Sequence, residues 1–574
     1  MPAKIKATPL PDIKKPTPKI PVIGVFAACD PRIDPDSRTR TRNIIQLAAD
    51  TISGSVLLPD KTPVPVVYST TLVDGEIQAD LVAQQFRQAG VDILVCVPDT
   101  WAFPQLSAIS LLQQFPNNTP FNITCGNSGP KPGVVYAHAL AGAVSQYGRL
   151  VTLNVGNWPD TGLKPKMSTK TARNLIDWCY AAVTTVALRG RRVMILGHDS
   201  MGMETALAHI IPTRNTFGIE ITRLDMKLLA DMLKKGAYNK TELKQLRLWI
   251  DNHVGKRLKL KNNADSQRFN QSLAMYLITR DLMQDLNAVG GGFMSQLEWG
   301  SDLRGLPLPV ADVMESLFNS TFDHNGPKPP QPFATEADAQ GLLTMLFKTC
   351  LSGGNPPLFM DLRKVWEAWE IKNLAKKISL KNLPQKADWL HKGLIDGNNS
   401  GSASFNWAGK PSAAVKQLMG KIIMPLADND YFPGSGNSVT FMTPPGIEGI
   451  ASRLAYSSIS EQFSLIWDQA ATTEVPAKLA RAMCHLTNPT WPHTFVVPKY
   501  ATMGEYKQYA PANHFHMTWD LPVARLQHWM DLTGVLSVTP WAARPAYIED
   551  VDRPQPLIYL INGGENIYKQ KLRR

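Results

Sequence analysis

The chain has 574 residues, of which 44% are hydrophobic, 19% charged and 8% aromatic. That length exceeds one hydrophobic core, and the composition excludes a chain that is mostly disordered or collagen-like. The formal charge is +12, but Lys4, Lys6, Lys14, Lys15 and Lys19 against Asp12 place +4 of it in the first twenty residues, and no recognition motif accompanies the rest. Nucleic acid is therefore not an expected partner.

Residues 1–21 read as a basic tail rich in Pro and Lys, without the continuous apolar segment of a secretory signal. No run approaches the ~18 to 20 apolar residues of a membrane-spanning helix. Six cysteines are scattered with no zinc or dithiol spacing, so they read as small buried hydrophobes in a reducing compartment. The expectation is a cytoplasmic protein with no membrane partner. A second basic stretch, Lys256, Arg257, Lys259 and Lys261, reads as a solvated face.

From Val22 the chain alternates short apolar runs with helical patterns. The run through Cys29 precedes a helix from about Thr41 to Ser53, and Val64 to Ser69 precedes Ala79 to Gly90. Ile93 to Val97 precedes a Pro104 to Phe115 helix, and Asn122 to Thr124 precedes Gly133 to Tyr147. Repeated strand-helix units predict an α/β domain over 22–188. Arg192 to Gly197 opens a second such series over 189–352, with helices at Asp225 to Lys234, Lys240 to Val254 and Ser266 to Leu286. Turn residues become dense beyond Leu351, between short segments such as Val439 to Thr443 and Thr494 to Pro498. This predicts a β-rich domain over 353–574.

Three places carry residues suited to chemistry. In Phe333-Ala-Thr-Glu336-Ala-Asp338, Thr335 reads as an N-cap and Glu336 as a first-turn acid, which a helix dipole alone would explain. Pro356-Pro-Leu-Phe-Met-Asp361 reads as a strand ending in a carboxylate, where α/β sheets handle ligands; the same acid could equally cap a Leu362 to Trp369 helix. In Asn513-His514-Phe515-His516 the imidazoles share one face if the segment is a strand, a pattern open both to metal binding and to an ordinary strand. His138, His198, His324 and His493 read as structural or superficial. Gly290-Gly-Gly-Phe293 lacks a phosphate-binding signature and reads as a loop, and Asn398 to Ser402 reads as a turn.

Several stretches, in order, resemble the L-fucose isomerase family of metal-dependent aldose-ketose isomerases: Pro132-Gly-Val-Val-Tyr136, Leu196-Gly-His-Asp-Ser-Met-Gly202, Asn319-Ser-Thr-Phe-Asp-His-Asn-Gly326, Ala334-Thr-Glu336, Phe359-Met-Asp361-Leu-Arg363-Lys-Val-Trp366, Asn399-Ser-Gly-Ser402, Asp430-Tyr431-Phe, Asn488-Pro-Thr-Trp491-Pro492 and Ala512-Asn513-His514. The resemblance implies two Rossmann-like α/β domains followed by a β-rich, barrel-like domain. It implies Mn²⁺ held by Glu336, Asp361 and His514, with Glu336 and Asp361 moving a proton between neighbouring sugar carbons through an enediol. It further implies sugar contacts from Arg32, Ser400, Tyr431 and Asn513, and Trp101 lent to a neighbouring subunit of a homo-oligomer, typically a hexamer. The family's Gly-Phe-Gln is Gly292-Phe293-Met294 here, and its Arg-Pro and Asp-Gly-Arg become Phe26-Ala27 and Asp30-Pro31-Arg32. The resemblance implies L-fucose or D-arabinose as the sugar, a choice that these departures leave open. The alternatives are the substrate of a related L-arabinose-type isomerase, or a scaffold that binds sugar without turnover.

Overall fold

The computed structural model describes residues 19–126, 133–158, 162–198, 201–294, 308–399, 401 and 403–540. Most of the basic tail lies outside them. The first sheet contains β1 (Ile23–Phe26), β2 (Val66–Tyr68), β3 (Ile93–Cys96), β4 (Phe121–Gly126) and β5 (Thr152–Gly156), in the order β2-β1-β3-β4-β5 with all neighbours parallel. Ile23, Val25, Ile93 and Val95 join a cluster with Leu175 and Trp178, whereas Phe26, Leu94 and Cys96 join one with Phe86, Tyr136 and Leu140. Both faces of these strands are buried, which is why they read as unbroken apolar runs.

The first helix, Pro35–Ser53, starts six residues before the expected Thr41 because Asp34 accepts the Ser37 amide at 2.8 Å and proline suits the opening position. Hydrophobic spacing registers only its buried part. The expected Pro104 to Phe115 helix is instead a wide π turn over Gln105–Ile109 followed by a short α segment, Ser110–Leu112. Within it the Ile109 amide reaches Pro104 O at 3.0 Å, and the Ser107 hydroxyl takes the Phe103 carbonyl at 2.6 Å.

The second sheet uses β6 (Arg192–Leu196), β7 (Glu220–Leu224) and β8 (Ala288–Phe293). After a small hairpin of β9 (Phe322–Asp323) and β10 (Gly326–Pro327), β11 (Phe333–Ala334) completes it, in the parallel order β11-β8-β6-β7. Gly290 to Phe293 is thus a strand and not the expected loop. Neighbouring backbone explains its glycines: a Cβ would lie 2.7 Å from Pro332 O at Gly290 and 2.8 Å from Met194 O at Gly291.

The remaining strands are β12 (Leu358–Trp366), β13 (Leu394–Asn398), β14 (Glu448–Ser457), β15 (Gln462–Thr472), β16 (Thr494–Pro498), β17 (His514–Trp519) and β18 (Leu536–Val538). They form a seven-stranded sheet, β14-β17-β12-β13-β16-β15-β18, in which β15 also pairs with β14. Its pairings are antiparallel apart from β15 with β18. The chain is therefore mixed α/β, with parallel sheets preceding a large C-terminal antiparallel one. The Val523–Thr533 helix packs back on the Thr169–Ala187 helix, where Arg525 pairs with Asp177 at 3.0 Å and lies 3.6 Å from the Tyr180 ring centroid.

Arg257 corrects the expectation of a wholly solvated basic stretch. Half-buried, it donates to Ile422 O at 3.0 Å and His253 O at 2.7 Å, while Lys256, Lys259 and Lys261 are exposed. Cys29, Cys96, Cys125 and Cys179 are buried, and burial pushes the Cys29 and Cys125 thiols up to about 12, as inert core residues require. Among the described residues no helix is long and apolar enough to cross a membrane.

Candidate functional site

Beyond β11 the chain turns sharply. Glu336 and Ala337 adopt left-handed backbone, with φ of 59° and 51°. Residues bearing a Cβ rarely adopt it, and each instance costs about 1–3 kcal/mol that the surrounding structure must supply; such strain concentrates at functional sites. Thr335 is consequently not the helix cap. Asp338 caps the Ala339–Leu351 helix by accepting the Gly341 amide at 2.8 Å, and Glu336 stands ahead of the helix instead of in its first turn.

Asp361 also departs from expectation. It neither ends a parallel strand nor caps a helix, because β12 continues to Trp366 and the next helix, Ala368–Lys377, begins with reciprocal capping between Glu367 and Glu370. On β12 Asp361 lies directly across from His514 of β17, and Phe359 lies across from His516. Opposed residues of an antiparallel pair share a face. His514 and His516 accordingly meet the same Phe359 ring, at 4.6 and 4.7 Å between centroids, as their alternation predicted.

The His514 Nε2 faces Glu336 Oε2 at 3.2 Å without aligning as a hydrogen bond, while its Nδ1 lies 2.8 Å from Asp338 Oδ2. Burial opposes charge on this imidazole, yet the Asp338 and Glu336 carboxylates outweigh it and push its pKa up to about 9. Burial raises the Asp361 carboxyl to about 6 against the pull of His514; the negative charge of Glu336 adds to the rise. A register shift between Leu362 and Lys364 marks a β-bulge at Arg363, which approaches Asp361 at 3.8 Å. Arg363 also donates to the Tyr431 hydroxyl at 3.0 Å and covers the Trp491 ring at 5.1 Å. Asn513, exposed next to His514, bonds the Asp361 side chain and approaches Met203 Sδ at 3.5 Å.

The structure therefore gathers Glu336, Asp361, His514, Asn513 and, through Arg363, Tyr431. Arg32 and Trp101 form a second cluster: Arg32 pairs with Asp30 at 2.6 Å and lies over Phe103, and Trp101 meets Phe103 and Tyr136 edge-on. Ser400 lies outside the described residues; beside it Asn399 is buried and Gly401 accepts from Ser316 at 2.9 Å. Sequence reasoning missed Asp338, Arg363 and Arg453. Asp338 stood within the Thr-Glu-Ala-Asp motif, but Arg453 sits in an apolar strand and gave no signal.

Two carboxylates and a buried imidazole nitrogen without an aligned hydrogen bond are a donor set that fits a divalent ion such as Mn²⁺ in kind. Among the described residues no three such side chains already stand in an ion-enclosing arrangement. Two cavities of about 630 and 660 Å³ lie elsewhere on the C-terminal sheet, and Glu336, Asp361 and His514 line neither.

The family model described as the first N-terminal domain of L-fucose isomerase matches residues 20–190, and that of the second N-terminal domain matches 191–353. Together they account for more than half of the chain. The chain belongs to the L-fucose isomerase family. It is an aldose-ketose isomerase. An L-fucose isomerase of Streptococcus pneumoniae (strain Taiwan19F-14) is 24% identical over 536 residues, covering 85% of this chain and 86% of the relative. One from Vibrio vulnificus (strain YJ016) is 25% identical over 513 residues, covering 82% and 83%. The family models contain Glu336 and end before Asp361 and His514. A likeness spanning 85% of the chain necessarily continues past Asp361 into the C-terminal sheet.

Proposed function

We propose that the chain interconverts an aldose and a ketose of the L-fucose or D-arabinose type by proton transfer through an enediol, with Mn²⁺ held by Glu336, Asp361 and His514. The observation that carries this is the convergence of Glu336 and Asp361 on His514 from separate elements. When bound, the ion supplies Lewis acidity that polarises the sugar carbonyl. Glu336 and Asp361 take a proton from one carbon and return it to its neighbour.

Asn513, Tyr431 and Ser400 bind sugar hydroxyls, and the Tyr431–Trp491 pair offers an aromatic wall. Arg32 and Trp101, which cluster with Phe103 of the first domain, fit a homo-oligomer, proposed as a hexamer, in which Trp101 serves a neighbouring subunit. The return of β15 onto β14 supports a barrel-like C-terminal domain, and the parallel β2-β1-β3-β4-β5 order, that of flavodoxin-like sheets, supports a doubly wound first one, Rossmann-like in this broader sense. Met294 is buried with Ile195, Ala337 and Phe359, so an apolar side chain stands where the family has glutamine, which favours a shifted sugar preference.

Protein stripped with a chelator is expected to lose isomerisation of L-fucose or D-arabinose and to regain it with Mn²⁺, read as ketose formed across a panel of aldopentoses and 6-deoxyhexoses. Full turnover of any of these sugars after exhaustive stripping would remove the metal from the mechanism.

A further inference from the structure

We infer that Asp338, clamped by Arg453, is a positioning residue that holds His514 with its proton on Nδ1, leaving Nε2 as the donor on the Glu336 side. This rests on the metal reading above and adds a residue that never touches the ion. Asp338 is 0% and Arg453 1% exposed, so the pair is sealed from water. A carboxylate only accepts, so the 2.8 Å contact from His514 Nδ1 to Asp338 Oδ2 requires the proton on Nδ1. Arg453 donates to both Asp338 oxygens, through Nη1 to Oδ2 and through Nη2 to Oδ1 at 2.9 Å, and Gly341 donates its amide to Oδ1 at 2.8 Å. Four donors fix the carboxylate. Arg453 is anchored in turn by Thr205 O at 2.6 Å and His516 Nε2 at 3.3 Å.

The packing reserves room for this arrangement. A Cβ at position 341 would stand 2.5 Å from Asp338 Oδ2, 2.7 Å from His516 Nε2 and 2.8 Å from Arg453 Nη1, which explains a glycine inside a helix. Capping the helix does not require the charge, because asparagine caps as well as aspartate. The charge is needed to fix the imidazole and hold Arg453, the role that carboxylates behind metal-bound histidines play.

The full chain carrying Asp338→Asn separates the two roles. It should keep its helix content by circular dichroism and bind Mn²⁺ about 10- to 100-fold more weakly in a calorimetric titration, with all three ligands intact. In the Mg²⁺-loaded, ¹⁵N-histidine-labelled unaltered chain, His514 should show a protonated Nδ1 and an unprotonated Nε2, a pattern that capping alone does not set. A Mn²⁺ affinity within twofold of the unaltered chain, or a proton on Nε2 in the loaded protein, overturns the inference while leaving the metal site standing. Failure of the unaltered chain to bind Mn²⁺ overturns both. Should Asp338→Asn not fold, Gly341→Ala, which crowds the same carboxylate without changing a charge, carries the test with the same outcomes.

Discussion

Glu336→Gln is expected to lower kcat for ketose formation by about 10²- to 10⁴-fold, the usual worth of a positioned acid-base group. Glutamine preserves the side-chain volume and cannot take the proton. Its left-handed backbone at φ 59° is a property of the turn between β11 and the helix, so the fold should persist. Asp361→Asn should act alike, because the amide can neither take nor return a proton. Steady-state assays on metal-loaded protein check both, alongside thermal melts that remain close to that of the unaltered chain. Ketose formation at an undiminished rate in either variant would remove that residue from the proton path.

His493→Phe should cost about 3–5 kcal/mol of stability, because it strands a buried carboxylate. His493 Nδ1 lies 2.9 Å from Asp396 Oδ1 and Nε2 lies 2.9 Å from Asn488 O. Both neighbours only accept, so the ring donates from both nitrogens and is an imidazolium. Burial opposes that charge, but the Asp396 carboxylate, with Cys484 beside it, raises the pKa from 6.5 to about 10. A pKa raised on folding gives stability that is fully present below about 6.5 and is lost as pH rises through about 10. Urea midpoints at pH 6.5 and pH 10 should therefore show a gap between the variant and the unaltered chain that narrows at the higher pH. An equal gap at both would mean that the ring is neutral in the fold. Of the two readings for His493, structural or superficial, its 2% exposure selects the structural one.

Strands buried on both faces announce themselves, so β3 and β6 were legible within one residue and β1 within three. So was the shared face of His514 and His516, which follows from strand alternation alone. The elements around the site were harder. Leu362, Val365, Trp366 and Trp369 recur at helical spacing, yet β13 pairs with this stretch and a bulge at Arg363 absorbs the misfit, so tertiary pairing overrides the local pattern. Glu336 resembled a first-turn acid because the strained turn that expels it from the helix leaves no mark in composition. Gly290 to Gly292 looked like a loop for the reverse reason: strand interiors rarely need glycine, and the close approach of Pro332 and Met194 is visible only in three dimensions. The long-range pairing of Asp338 with Arg453, 115 positions apart, has no local signature at all.

The central claim is that Glu336, Asp361 and His514 hold one divalent ion at the seat of isomerisation. The most direct measurement is an anomalous difference map from crystals of the Mn²⁺-loaded protein. A single strong peak within bonding distance of these three side chains is the expected result; a peak bound by other residues, with these three left unligated, would contradict the account.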